Sequence, residues 1–102
     1  MAKNKNGRNV AKKKYSAKER YDFHTDRYFS CGKYGIGFGS PKHCYSTGFR
    51  DAFYAHDNTS AITREFGANT GKAYQRGYKR GTSAAKEYFL TTGKQPADIH
   101  RS

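Results

Sequence analysis

Small and aromatic residues recur at helical spacing along residues 70–92, and the charged residues fall between them. At about 100° per residue, Ala73, Gly77, Gly81 and Ala84 form one row, flanked by Tyr74, Tyr78, Ala85 and Phe89. That side carries no charge. Lys72, Arg76, Lys79, Ser83 and Lys86 form a narrow stripe on the other side, with Arg80 beside it. The pattern predicts a helix capped by Asn69 or Thr70, running to about Thr92 and closed by Gly93, with Pro96 beyond. Glycine inside a helix costs roughly 0.5–1 kcal/mol relative to alanine. Gly77 and Gly81 are therefore expected where another backbone comes too close for any side chain.

The same periodicity predicts three shorter helices. "SAKE" at 16–19 reads as a capping box, Ser16 as N-cap and Glu19 reaching back to it, which opens a helix from about Ala17 to Phe29. Tyr21, His24 and Tyr28 share one face of it. "CGKYGIGFGSPK" at 31–42 is a glycine-rich loop ending in Ser40, a cap, and Pro41, a first-turn proline. A second helix should run from Pro41 to about His56 and a third from about Ser60 to Phe66, with Asn58 or Thr59 as its cap and Gly67 as its stop. The expected fold is an all-α bundle of three to four helices over residues 15–95. Residues 1–14 are expected to be a disordered basic tail, and 96–102 a C-terminal tail with no readable pattern.

An internal echo suggests what approaches the glycines. "YSTGFRDAFYA" at 45–55 and "YQRGYKRGTSA" at 74–84 align as Y-x-x-G-aromatic-basic-x-small, pairing Tyr45 with Tyr74, Gly48 with Gly77, Phe49 with Tyr78, Ala52 with Gly81 and Ala55 with Ala84. The second helix gathers Tyr45, Gly48, Phe49, Ala52, Phe53 and Ala55 on one side. The two helices are expected to cross with Gly48 near Gly77, making Gly48, Ala52, Gly77 and Gly81 structural positions.

Charge adds the functional expectation. Twenty Lys and Arg against eight Asp and Glu leave +12 on 102 residues, more than solubility requires, and nucleic acid is the default partner of such a surplus. Lys72, Arg76, Lys79, Arg80 and Lys86 are the helical candidates for phosphate contact, and Lys12, Lys13 and Lys14 those of the tail. Hydrophobic content is only 34%, so nine tyrosines and seven phenylalanines must carry the core; any left outside it are able to stack on unpaired bases.

Other chemistry is thinly represented. Cys31, Cys44, His24 and His43 lack zinc-ligand spacing, and the cysteines are expected as free thiols. The glycine-rich loop is neither a dinucleotide fingerprint nor a P-loop. Acids are scattered and no nucleophile elbow or metal motif occurs, so neither catalysis nor a cofactor or metal is expected. No apolar run approaches a membrane span and no secretory signal is visible, which predicts a cytoplasmic protein.

"AYQRGYKRG" at 73–81, followed by "AAKEY", resembles the first helix of the ribosome modulation factor family, with its A-x-Q-R-G-Y-x-x-G pattern on Ala73, Gln75, Arg76, Gly77, Tyr78 and Gly81. "GFRDAF" at 48–53 is similar to that family's G-W-R-E-A motif, in reversed order and with phenylalanine for tryptophan. Residues 48–95 also look like a small bacterial family of no known activity, and the whole chain looks like small bacterial and phage proteins. The first resemblance implies binding to ribosomal RNA. The leading expectation is a non-enzymatic binder of RNA, more than DNA, or of a nucleoprotein complex. The alternative is a phage or mobile-element inhibitor, anti-CRISPR-like, acting on a host protein.

Overall fold

The Ser16 hydroxyl accepts from the Glu19 N–H at 3.1 Å and the Glu19 carboxylate accepts from the Ser16 N–H at 2.9 Å, closing the capping box that starts α1, Ala17–Cys31. In this computed structural model, which describes residues 14–32 and 35–101, three further helices follow: α2, Pro41–Ala52; α3, Thr59–Phe66; and α4, Ala68–Thr92. Among the described residues there is no strand, and the fold is all-α. The expected tail at 1–14 lies outside the described residues except for Lys14.

Local signals set most boundaries, and tertiary contacts move the rest. Ser40 caps α2 by accepting from the His43 N–H at 3.2 Å, with Pro41 in the first turn. The helix stops at Ala52, four residues before the expected His56. There the Ala55 N–H donates to the Ala52 carbonyl and the His56 N–H to the Asp51 carbonyl, a Schellman closure that puts Ala55 at φ 54°. Ala55 is consequently exposed and not part of the packed side. The chain then turns on a half-buried network. The Tyr74 hydroxyl donates to Asp51 Oδ2 at 2.7 Å and accepts from the Asn58 N–H at 2.8 Å, while the Asn58 amide donates to the same Asp51 oxygen. Asn58 therefore stands at the N-cap of α3 without capping it by its side chain.

Neither Asn69 nor Thr70 caps α4. Gly67, at φ 98°, ends α3 by donating to the Thr63 carbonyl and starts α4 by accepting from the Gly71 N–H. Its left-handed backbone joins the helices through one residue and draws Asn69 and Thr70 into the first turn.

The packing centres on the seam between α2 and α4. A methyl built on Gly77 would run into the Tyr45 carbonyl group, and one on Gly48 would meet the Tyr74 carbonyl oxygen and lie 2.9 Å from the Tyr78 amide nitrogen. One turn on, Gly81 faces the Phe49 backbone and the Ala52 side chain. The two contacts exchange under the internal echo: Gly48 on Tyr74 becomes Gly77 on Tyr45. The seam is thus a pseudo-two-fold crossing of two copies of one motif, running in the same direction.

Beside the seam, Tyr21, Phe49, Phe53 and Tyr88 fill an aromatic core with Ala17, Ala84 and Ala85. Tyr21 and Phe53 meet edge to face at 4.8 Å. Two side chains depart from expectation. Phe89 stands 44% exposed, because α2 ends before it can cover that turn, and Tyr88 takes the buried place. Residues 96–101 are no loose tail either: Pro96–Arg101 is a 3₁₀ helix whose Ile99 is fully buried against the same core. A single apolar residue in a polar segment has no periodicity to announce it.

Candidate nucleic-acid interface

Burial of the small-residue row turns the opposite face of α4 outward. Lys72, Arg76, Lys79, Arg80 and Lys86 are all exposed, with Ser83 among them, and none forms an ion pair with a described acid. The nearest acid in the sequence, Glu87, is taken from the other side, where Arg20 of α1 holds it at 2.8 Å. The stripe is therefore more one-sided than the sequence suggests. Lys14 is exposed ahead of α1; Lys12 and Lys13 lie outside the described residues.

Rings also remain at the surface. Tyr15, Phe23 and Phe29 are each more than half exposed. The Arg27 guanidinium lies 4.8 Å from the Phe23 ring centre. The Arg50 guanidinium lies over Tyr28, Phe29 and Tyr54 at 4.9–5.4 Å, so this cation is held against the protein by cation–π attraction.

His24, His43 and Cys44 are built into the packing, whereas His56 and His100 are exposed. His24 Nδ1 is 2.9 Å from the Ser46 hydroxyl and its ring lies 4.2 Å from Phe49. Burial, helped by the Arg27 charge, lowers its pKa to about 4. His43 Nδ1 accepts from the Gly39 N–H at 3.0 Å, and burial lowers this pKa too. Cys44 is buried and its thiol is pushed up to about 11, by burial first and Glu65 second, which makes it a poor nucleophile. Among the described residues, no three His, Cys, Asp or Glu side chains gather where they would hold a metal ion.

Among the described residues of the glycine-rich loop, four amides are taken up by the protein itself. The amides of Gly35, Phe38 and Ser40 donate to the carbonyls of Gly32, Gly35 and Gly37, and that of Gly39 donates to His43. Gly39, at φ 76°, instead makes room for the Phe66 ring.

Two cations without a special place in the sequence join the candidate face. Arg27 and Lys42 share one cavity with Arg76, although they stand on three different helices. Only the packing of α1 and α2 on α4 brings them together, so no periodicity within one helix reveals the set.

Compared with known proteins, the chain matches no family model, no curated protein and no solved structure. Among the described residues, no helix is long and apolar enough to cross a membrane.

Proposed function

We propose that this chain is a small RNA-binding protein that acts by occupying its target, without catalysis or a cofactor. The observation that carries this reading is the outer face of α4, where five exposed cations stand without acidic partners among the described residues while Glu87 is turned toward Arg20. Neutralising phosphates would supply most of the affinity. The exposed rings of Tyr15, Phe23 and Phe29 favour single-stranded or looped RNA over duplex DNA, because unpaired bases present faces for stacking. The ribosome is the target that the ribosome modulation factor resemblance implies, and a cytoplasmic setting goes with it.

The test replaces Arg76, Lys79, Arg80 and Lys86 together by glutamate, which is as good a helix former as lysine. The variant should keep its helical circular dichroism and lose RNA or ribosome association. Affinity of the unaltered chain should fall with salt along a log–log slope of about −3 to −6, for roughly four to eight phosphates. A folded variant that binds equally well would remove this face from the mechanism.

A second reading, a phage-borne inhibitor docking on a host protein, draws on Leu90. It is 70% exposed beside Phe89 at the C-terminal end of the basic face, and its aliphatic side chain offers apolar surface without a ring for a base to stack on. Binding to a purified host protein that survives nuclease treatment would favour it.

A further inference from the structure

Arg27 of α1, Lys42 in the first turn of α2 and Arg76 of α4 line one notch of about 300 Å³, together with Pro41, Tyr45 and Ala73. No carboxylate lines it, and none of the three cations forms an ion pair with a described acid. Three like charges placed around one opening without a counter-charge favour an anion there over a cation. Tyr45 and Ala73 form its protein side, and the rest is open to solvent. The notch is also held by the fold: Tyr45 meets Gly77 at the helix seam, next to Arg76, and Arg27 is steadied by the Phe23 ring.

We propose that this notch seats one phosphodiester of a single-stranded RNA, with Arg27, Lys42 and Arg76 as its ligands. The proposal rests on the RNA-binding reading. It adds that the strand enters the basic face between α1 and α2, at the N-terminal half of α4, and does not lie along α4 alone. A recess between three helices suits a backbone that can bend into it, and the exposed Phe23 ring beside Arg27 offers the adjoining base a surface.

The test compares two full-length variants of equal charge, Arg27→Gln with Lys42→Gln and, as control, Arg64→Gln with Lys94→Gln at exposed sites away from the notch. Binding of a fluorescent dodecauridylate is titrated at several salt concentrations. The notch variant should lose affinity by about tenfold or more, the loss of charge-assisted hydrogen bonds to one phosphate. Its salt slope should flatten by about 0.7, the increment for one phosphate on a single strand. The control should change neither by as much. Equal losses in both variants would mean that only net charge matters and would overturn the notch while leaving RNA binding intact. Unchanged binding by the notch variant, with loss in the four-fold α4 glutamate variant, would do the same. If neither the notch nor the α4 variant weakens binding, both readings fall together. An oligoglutamate peptide that binds the unaltered chain more tightly than the RNA, and loses that affinity in the notch variant, would assign the seat to a protein carboxylate and refute the phosphate. Should the double variant melt early, Lys42→Gln alone, on an exposed side chain, carries the same comparison.

Discussion

Gly77→Ala sets two effects of opposite sign against each other. In an open helix the change should stabilise by about 0.8–1 kcal/mol, since alanine is the better helix former. Here the added methyl would run into the Tyr45 carbonyl group, with the carbonyl carbon at 2.8 Å and Tyr45 Cα at 3.0 Å. Those atoms belong to the backbone of α2, so no rotamer change relieves the clash, and the helices must separate along the seam that organises the bundle. Overpacking of this kind costs about 1–3 kcal/mol, and because the obstacle is backbone the upper part of that range applies. After the propensity gain, a net loss of about 1–2 kcal/mol remains, equivalent to a fall in Tm of roughly 4–16 °C for a domain of this size. Gly71→Ala is the internal comparison. Its methyl would strike the Thr63 hydroxyl, a side chain on an exposed residue, so Thr63→Ala in the same chain should recover much of the loss. Thermal melts followed by circular dichroism at constant pH and salt decide the matter. A Gly77→Ala protein that melts at or above the parent would refute the close crossing, for the propensity term alone would then have operated.

Three further outcomes follow from the same contacts. His24, with its pKa lowered from 6.5 to about 4, is neutral when folded, and the unfolded chain takes up the proton first; the stability this gives is complete above about pH 6.5 and is lost as pH falls toward 4, by at most about 1.4 kcal/mol per pH unit. Buried His43 acts in the same direction, and urea titrations between pH 7 and 4.5 that show no decline would contradict both assignments. Ala55→Gly should stabilise by about 0.5–1 kcal/mol, the relief of a left-handed alanine exceeding the added chain entropy, and a lowered denaturation midpoint would count against the Schellman closure. Tyr74→Phe should destabilise by about 1–2 kcal/mol in the same assay, because it removes a partner from the half-buried Asn58 N–H and from Asp51; a neutral result would mean that water replaces the hydroxyl.

Which features could be read in advance depends on the range of the interaction behind each. Ser16 with Glu19 and Ser40 with Pro41 are helix starts decided within one turn, and one turn of sequence contains the whole signal. The seam is long-range yet still leaves a mark, since a backbone contact forbids side chains, and Gly48, Gly77 and Gly81 preserve that prohibition in the letters themselves. Ala55, Phe89 and Ile99 mark the opposite limit. Whether Phe89 is covered depends on where α2 stops, which depends on the turn through Asp51, Tyr74 and Asn58. Ile99 is buried by a cluster of residues from α1, α2 and α4 that lie far from it in the sequence. The stripe on α4 shows helical periodicity, whereas Arg27 and Lys42 reach Arg76 only through the packing of three helices. The candidate surface was legible along one helix and opaque across helices.

The seam and the basic face have one physical cause. A helix of 25 residues that packed through large side chains would need a broad apolar arc, and long residues such as Leu would have to occupy it. α4 instead meets α2 backbone to backbone over Gly77 and Gly81, so a narrow row of glycine and alanine suffices to bury it, with Tyr74 and Tyr88 sealing the flanks. The remaining circumference is released from packing. In this chain it holds Lys72, Arg76, Lys79, Arg80 and Lys86, whose mutual repulsion opposes folding unless an anion lies along them. Glycine, which weakens a helix by itself, thus allows the charge to be placed on a rigid element. The same close approach brings Lys42 to the edge of that face, and the packing of α1 adds Arg27, so the contacts that determine the fold also determine the spacing of these cations.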